Sequence, residues 1–204
     1  IDSEDEEFHQ VVGKIGEGAT SEVFKVVDTR SGRVMCKKIL KDAGDQNFKN
    51  MQNSMKEIEV LLRIRHPCVC EAIGCNMQEE VEATNMNDYD DYGADSKPRT
   101  TIALFFEFLP YNLRRLIDNQ QLCSTLKTRI AVEVAIGMSH IHSLGLMHRD
   151  LKVENVMLNG VMEAKLIDFG LVHVQENSST LTRGVGTLAY MSPEMAREEN
   201  YDNK

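Results

Sequence analysis

The chain contains no tryptophan and only four prolines, and no run of apolar residues approaches the about 20 needed to cross a bilayer. Basic residues are also scarce, with 23 Lys and Arg against 32 Asp and Glu and a net charge of −9. No basic stripe interleaved with aromatic residues occurs, which argues against a nucleic-acid partner. The acidic start, residues 1–7, is unlike a signal peptide, although a first residue other than Met leaves room for a preceding segment.

Paired cysteine spacing is missing as well. The five cysteines are an odd set without CxxC spacing (Cys36, Cys68, Cys70, Cys75 and Cys123). Such a set is typical of reduced thiols, so we expect a cytoplasmic location. A metal site at Cys68, Cys70 and Cys75 is a minor alternative, because no fourth ligand is evident.

The first forty residues predict a small antiparallel sheet. Short β-branched runs at residues 11–12, 23–27 and 33–37 are separated by glycines and turn residues, with residues 29–32 as the second turn. A further buried strand is predicted from Thr101 to Leu109, where Pro110 follows.

Helical periodicity takes over in other parts of the chain. Apolar residues spaced by three and four predict an amphipathic helix over about 51–65, ended by Pro67. A short helix is predicted from Leu113 to Asn119 and a long one around residues 126–141. Residues 77–99 are acidic and polar, which predicts a surface insertion. Strands first and helices second indicate an α+β chain of two unequal lobes.

A glycine-rich segment runs from Ile15 to Val23, in the order Ile-Gly-Glu-Gly-Ala-Thr-Ser-Glu-Val. Taken alone it is weak, since glycines are common at strand turns. A dinucleotide fingerprint would need a helix next, whereas Val23 to Val27 continues as strand. A glycine hairpin lying over phosphates fits better.

Charged motifs follow the glycine segment in a fixed order. Lys37 lies near the end of a predicted strand and Glu57 on the predicted helix, and alone they would be ordinary solvated charges. After the long helix comes His148-Arg149-Asp150-Leu151-Lys152-Val153-Glu154-Asn155, and after a strand-like segment comes Asp168-Phe169-Gly170.

In this order, the motifs resemble those of the eukaryotic-type protein kinase family over about residues 8–204. Lys152 and the Gly186-Thr187 pair resemble its serine/threonine branch. The resemblance implies a two-lobed protein-kinase fold. Residues 8–109 would form a small antiparallel β lobe with one helix and the insertion 77–99, and residues 110–204 an incomplete, mainly helical large lobe.

The same resemblance implies ATP as co-substrate, Mg²⁺, and a role for each motif residue. Lys37 would hold the α- and β-phosphates while Glu57 fixes it. Asp150 would accept the proton of the substrate hydroxyl, and Lys152 would neutralise the γ-phosphoryl group. Asn155 and Asp168 would bind Mg²⁺, which accepts amide and carboxylate oxygens.

The resemblance also implies an adenine site. Phe106 would be the bulky gate behind the ring, and the Glu107 carbonyl and Leu109 N–H its hydrogen-bond partners. The remaining contacts implied are Ile15, Gly16, Gly18, Val23 and Leu158. Two departures stand out: Ser21 replaces the third glycine of the loop, and Met35 replaces the usual alanine of the strand motif.

Regulation and partners are implied in the same way. Arg149 resembles the arginine of kinases that are controlled by activation-loop phosphorylation, with Thr182 as first choice and Thr180 and Thr187 as further regulatory positions. The expected partners are a protein bearing a Ser or Thr hydroxyl and an upstream kinase. The alternative is a pseudokinase that binds ATP or acts as a scaffold.

The chain ends soon after Pro193, where the family continues with further helices. We therefore expect those C-terminal helices to be absent. Without them, the apolar face of the long helix formed by Leu126, Ile130, Val134 and Met138 is predicted to be exposed.

Overall fold

A computed structural model describes residues 8–18, 21–40, 58–80, 99–168, 173–174, 187–190 and 193. The chain divides into two compact units. The first comprises Ile1–Met51 and Ala72–Phe108, and the second comprises Gln52–Glu71 and Leu109–Lys204.

The first unit is a five-stranded antiparallel sheet with the strand order β1-β2-β3-β5-β4. Its strands are β1 (His9–Glu17), β2 (Ser21–Asp28), β3 (Val34–Leu40), β4 (Ala72–Glu80) and β5 (Arg99–Glu107). The three strands predicted in the first forty residues are confirmed, and so is the strand before Pro110.

Strand β4 was not predicted, and it corrects the bounds of the acidic insertion. Residues 77–80 and Arg99 pair across β4 and β5, as in Glu80↔Arg99, so these polar residues are strand rather than loop. Backbone pairing satisfies their N–H and C=O groups whatever their side chains are. Residues 81–98 lie outside the described residues.

One face of the sheet carries the core of the first unit. Val26, Met35, Ala103 and Phe105 are at most 8% exposed, and Phe24, Ile39 and Ile73 pack against them. Side chains alternate between the two faces of a strand, so this cluster identifies which residues of β3 lie on the core face.

The second unit contains the helices and several short strands. Helix α1 is described over residues 58–63, α2 is Leu113–Asp118 and α3 is Ser124–Ser143. The short strands are β6 (Tyr111–Asn112), β7 (Leu146–Met147), β8 (Val156–Leu158), β9 (Ala164–Leu166) and β10 (His173–Val174). The Asn112 side chain caps α2 by accepting a hydrogen bond from the Arg115 N–H.

Helices α2 and α3 confirm the two helices predicted after Pro110. Of the predicted helix over 51–65, residues 51–57 lie outside the described residues. Among the helices that the structure describes, none combines the length and the apolar character needed to cross a membrane.

The prediction of an exposed apolar face on α3 was wrong. Ile130 is 4% exposed, and Leu126, Val134 and Met138 are half-buried. Strands β7 and β9 pack against α3 and account for this burial. The exposed large apolar side chains of α3 are instead Val132 and Ile136.

Residues 68–70, which follow α1 in the second unit, pair with β9 of the same unit. Val69 forms a parallel bridge with Leu166. The Leu166 N–H donates to the Cys68 carbonyl and the Cys70 N–H to the Leu166 carbonyl, each at 2.9 Å. Gly137 of α3 makes room for this segment, since a Cβ there would lie 2.8 Å from the Cys68 carbonyl oxygen.

A pair of stacked histidines lies beside the same segment. The rings of His66 and His140 have centroids 4.6 Å apart. His66 Nδ1 accepts a hydrogen bond from the Cys68 N–H at 3.1 Å, so this nitrogen carries no proton. Burial, followed by His140 and Lys165, lowers the pKa of His66.

Candidate active site

The segment after β7 is fixed by a buried histidine. His148 is 1% exposed, and its Nε2 lies 3.0 Å from the Ile167 carbonyl oxygen, to which it donates. Burial lowers the pKa of His148, which favours the neutral ring. Arg149 follows with a positive φ of 63° and 9% exposure. The histidine therefore ties the Asp150 loop to the residue before Asp168.

Asp150, Lys152 and Thr187 form a closed triangle of hydrogen bonds. Lys152 Nζ lies 2.6 Å from Asp150 Oδ2. The Thr187 hydroxyl donates to Asp150 Oδ1 at 2.8 Å and accepts from Lys152 Nζ at 2.9 Å. Burial alone would raise the pKa of Asp150, but the hydrogen bonds from Lys152 and Thr187 lower it overall. Asp150 is therefore a carboxylate that can accept a proton.

Asn155 is held beside Asp150 by its amide nitrogen. Asn155 is 5% exposed, and its Nδ2 donates to the Asp150 carbonyl at 2.8 Å and to Asp150 Oδ2 at 3.0 Å. The Asn155 carbonyl accepts the Ile167 N–H at 3.0 Å, which positions Asp168. Because the Asn155 Nδ2 donates to Asp150, the Oδ1 oxygen is the side-chain atom of Asn155 that can bind a cation.

The chemistry of these donors fits Mg²⁺. One amide oxygen from Asn155 and one exposed carboxylate from Asp168 suit a hard cation that keeps several waters and takes further oxygens from substrate phosphates. Within the described ranges, no group of three or more His, Cys, Asp or Glu residues is arranged to hold a metal.

Leu158, predicted to contact adenine, lies on β8 at 0% exposure. The neighbouring Met157 projects to the other side of the strand and is half-buried. Asn112 Nδ2 donates to the Met157 sulfur at 3.4 Å. The residue of β8 that was predicted to touch the nucleotide is thus part of the interior of the second unit.

In the first unit, β1 and β2 form the predicted glycine hairpin. The Gly18 N–H donates to the Ser21 carbonyl at 2.8 Å, and Gly16 pairs with Val23. A Cβ at position 16 would lie 3.4 Å from Val23 Cβ, so the backbone of Gly16 lies close to that side chain.

Lys14 is a residue of this hairpin that sequence reasoning missed. Its Nζ binds Glu17 Oε2 and Glu22 Oε1, each at 2.8 Å, and these hydrogen bonds raise the pKa of Lys14. Glu17 and Glu22 are cross-strand partners whose like charges would repel. The only indication in the sequence is a lysine followed by glutamates in a predicted hairpin.

The register of the sheet separates the predicted nucleotide contacts of β3. Val23 pairs with Lys38, and Phe106 pairs with Cys36, so these four residues share a face. Lys37 pairs with Phe24 and Phe105 on the opposite face, and its Nζ lies 5.9 Å from the Phe105 ring centroid. The structure brings Val23 and Phe106 to one face and leaves Lys37 on the other.

The remaining predicted residues are partly described. Ile15 is 49% exposed on β1, Glu107 ends β5, and Leu109 is 6% exposed. Glu57, Thr180 and Thr182 lie outside the described residues. Thr187, predicted to be regulatory, has its hydroxyl in the Asp150 triangle described above.

Comparison with known proteins identifies the family. The family model described as "Protein kinase domain" matches residues 9–204. The chain therefore belongs to the protein kinase family, in agreement with its antiparallel sheet, its helical unit and the arrangement around Asp150.

The chain is similar to curated kinases from several organisms. It is 32% identical to human "Dual specificity testis-specific protein kinase 2", covering 94% of this chain and 30% of the relative. It is 30% identical to "Probable CTD kinase subunit alpha homolog" of Encephalitozoon cuniculi, covering 89% and 48%. It is 28% identical to "Serine/threonine-protein kinase fused" of Drosophila melanogaster, covering 96% and 22%. The chain thus spans less than half of the length of each of these relatives.

Proposed function

We propose that this chain is the catalytic part of a serine/threonine protein kinase, which transfers the γ-phosphoryl group of ATP to a Ser or Thr hydroxyl of a protein. The observation that carries the proposal is the hydrogen-bonded triangle of Asp150, Lys152 and Thr187, with Asn155 fixed beside it. Family membership and relatives named as kinases support the same activity.

Each group of the triangle meets a need of phosphoryl transfer. The substrate hydroxyl oxygen forms a bond to the γ-phosphorus, the bond between that phosphorus and the bridging oxygen of ADP breaks, and the hydroxyl proton passes to Asp150. The hydrogen bonds that lower the pKa of Asp150 keep it ionised until then. Lys152 is placed to neutralise the transferring phosphoryl oxygens. When bound, Mg²⁺ would be held by Asn155 and Asp168 and would neutralise charge on the phosphates.

The hydroxyl class is part of the proposal. Thr187 holds both Asp150 and Lys152, and Lys152 and the Gly186-Thr187 pair resemble the serine/threonine branch of the family. Because one relative is named as a dual-specificity kinase, phosphoamino-acid analysis of labelled protein substrate is the direct measurement. Phosphotyrosine as the main product would refute the Ser/Thr assignment.

Activation by phosphorylation of the segment before Thr187 is proposed as well. Arg149 is a buried cation next to Asp150, and a phosphate on Thr182 would supply a charge-assisted partner for it. A Thr182→Ala variant of the full-length protein should lose most of its activity, and a Thr182→Glu variant should regain part of it. Full activity of Thr182→Ala would refute this choice of residue.

The central experiment compares the full-length protein with Asp150→Asn and Asp168→Asn variants in a phosphate-transfer assay. We expect each variant to lose at least about 100-fold in kcat. Asp118→Asn is the matched control, because Asp118 lies on the exposed side of α2, where it pairs with Arg114. Nucleotide binding without transfer by the unmodified protein would favour the pseudokinase alternative, and equal transfer by all four proteins would refute the assigned roles.

A cytoplasmic location completes the proposal and is supported by the five cysteines, none of which forms a disulfide. Fractionation of cells that express the full-length protein tests it, and recovery in the secreted fraction would refute it.

A further inference from the structure

Two histidines of the second unit are stacked beside residues 68–70. The ring planes of His66 and His140 differ by only 16°, and their centroids are 4.6 Å apart. Both side chains are half-buried, so solvent can exchange protons with either ring. Histidine is the side chain whose charge changes closest to neutral pH, so a stacked pair can respond to small changes in pH.

The backbone hydrogen bond to His66 requires a neutral ring. His66 Nδ1 accepts the Cys68 N–H at 3.1 Å, so the proton of the neutral ring is on Nε2. A second proton can bind only at Nδ1, where it would face the Cys68 N–H, and two donors repel each other. Protonation of His66 therefore breaks this hydrogen bond.

The charges around His66 act in the same direction. Burial lowers the pKa of His66, and His140 on α3 and Lys165 on β9 lower it further. On the segment itself, Arg65 is paired with Glu71 at 3.4 Å. A positive ring at position 66 is thus opposed by its neighbours on both of the elements that pack against it.

The carboxylates on this side of α3 and β9 are bound to other donors. Glu133 accepts the Ala164 N–H at 2.7 Å, and Glu163 accepts a hydrogen bond from the Asn159 amide at 2.8 Å. Burial, followed by Glu133, raises the pKa of the Cys68 thiol, and Glu163 acts in the same direction. The negative charge of these carboxylates therefore acts on the thiol rather than on the histidine pair.

Residues 68–70 link the histidine pair to β9. The carbonyl of Cys68 accepts the Leu166 N–H at 2.9 Å, and the Cys70 N–H donates to the Leu166 carbonyl at 2.9 Å. Neighbouring hydrogen bonds strengthen one another, and a residue whose N–H has lost its partner is held less firmly. The two bonds to Leu166 should therefore weaken when the bond from the Cys68 N–H is broken.

Strand β9 leads directly into the candidate active site. The residue after Leu166 is Ile167, whose N–H donates to the Asn155 carbonyl at 3.0 Å. The Ile167 carbonyl accepts a hydrogen bond from His148 at 3.0 Å, and Asp168 comes next. The backbone that positions Asp168 is thus held on one side by these residues and on the other by the segment beside the histidine pair.

We infer that the stacked histidines are a pH-sensitive switch, in which a proton on His66 releases residues 68–70 from β9 and lowers the rate of phosphoryl transfer. The part of this inference that concerns activity rests on the proposed kinase function. The release of residues 68–70 does not depend on that function, so the two parts can be tested separately.

Hydrogen exchange measures the release without any activity. Protection factors of the Cys70 and Leu166 amides are compared in the full-length protein at about pH 7.5 and about pH 5.5, on either side of the usual histidine pKa, after correction for the intrinsic pH dependence of exchange. We expect the protection of both amides to fall at least about fivefold at the lower pH.

His66→Asn and His142→Asn form a matched pair of variants. Asparagine places an oxygen close to the position of His66 Nδ1, so it can still accept the Cys68 N–H but takes up no proton. His142 is two residues beyond His140 on α3, about 200° further round the helix. The response of the protection factors to pH should vanish in His66→Asn and persist in His142→Asn.

His140→Phe is a further variant, which keeps a stacked ring and removes a neighbouring charge. His66 should then take up its proton at higher pH, and the loss of protection should begin at higher pH as well. An NMR titration of the His66 ring measures the first of these changes. Because this variant leaves residue 66 unchanged, it tests the switch even where His66→Asn fails to fold.

The same proteins are then assayed for phosphoryl transfer over this pH range. Between the two pH values, kcat of the unmodified protein and of His142→Asn should fall at least about fivefold more than kcat of His66→Asn. The ionisation of ATP and of Asp150 is common to all of these proteins. The difference between their pH profiles therefore belongs to His66.

The outcomes separate the inference from the proposed function. An unmodified protein that transfers no phosphate at any pH would overturn the proposed function and the effect on activity, while the protection factors still decide the release. Normal transfer with an equal pH response in His66→Asn and His142→Asn would overturn the switch alone. Protection of Cys70 and Leu166 that does not change at the lower pH would overturn it as well.

Discussion

Gly137 offers a sharp test of how α3 and β9 hold residues 68–70. Replacing a helical glycine with alanine normally stabilises a helix by about 1 kcal/mol, because glycine has more conformational freedom to lose. At Gly137 the new methyl group would lie 2.8 Å from the Cys68 carbonyl oxygen and 2.9 Å from Leu166 Cδ1. Both separations are shorter than real Cβ contacts, so something must move.

The two atoms differ in how easily they can give way. Leu166 Cδ1 is the end of a side chain and can rotate, but the Cys68 oxygen is backbone and accepts the Leu166 N–H at 2.9 Å. Overpacking of this kind costs about 1–3 kcal/mol. A weakened backbone hydrogen bond adds about 0.5–1.5 kcal/mol. After the intrinsic gain is subtracted, we expect Gly137→Ala to destabilise the protein by about 0.5–3.5 kcal/mol.

Urea denaturation of the full-length protein measures the change, with Ala135→Gly as the control. Ala135 is exposed on the same helix, so Ala135→Gly should cost about 1 kcal/mol through helix propensity alone. Hydrogen exchange should locate the effect of Gly137→Ala at the amides of Cys70 and Leu166. A Gly137→Ala variant that is more stable than the unmodified protein would refute the close approach.

Three further predictions concern single groups. Burial lowers the pKa of His66 below its usual value of 6.5, so the contribution of this residue to stability is complete above pH 6.5 and is lost as the pH falls through the lower folded pKa. In the variant His66→Asn, the free energy of unfolding should depend less steeply on pH in this range. An unchanged slope would contradict the lowered pKa. Thr187→Val removes a hydrogen bond to the Asp150 carboxylate, so the acid limb of the profile of kcat/KM against pH should move to higher pH and kcat should fall about tenfold or more. Thr187→Ser should restore both values. An acid limb that does not move would contradict the hydrogen-bonded triangle. Cys36 is half-buried, and desolvation raises its pKa to about 11. Iodoacetamide at pH 8 should therefore alkylate Cys36 at least about tenfold more slowly than the exposed Cys123, and equal rates would refute the raised pKa.

The sequence identified the elements with strong periodicity and the motifs with fixed spacing. Helix α3 and strands β1 to β3 lie where their apolar patterns predicted them. Strand β4 was missed because a glycine interrupts its apolar start and its second half is as polar as a loop, so only pairing with β5 reveals it. Periodicity measures the local pattern, and strand pairing is not local.

The face of a strand was the least predictable property of the site. In β3 two lysines stand side by side between apolar residues, so no alternation marks which one faces the nucleotide. In β8 the predicted contact Leu158 is buried and Met157 lies on the other side. A shift of one residue reverses the face, and only the register of neighbouring strands fixes it.

Hydrogen bonds between residues far apart in the chain could not be predicted from the sequence either. Thr187 was predicted as a regulatory position from its motif, yet its hydroxyl joins Asp150 and Lys152, residues far away in the chain. The motif indicates that the residues belong together, but the order of donors and acceptors among them follows from folded geometry.

The pairing of residues 68–70 with β9 has a consequence for dividing the protein into parts. Neither compact unit is a continuous stretch of chain, because Gln52–Glu71 packs with residues that follow Phe108. A gene split at residue 108 would produce a first fragment carrying α1 and the 68–70 segment without the strand that binds them. During synthesis the same segment must remain unpaired until Leu166 has been made. Fragment complementation and circular permutation should therefore keep residues 52–71 together with the second unit.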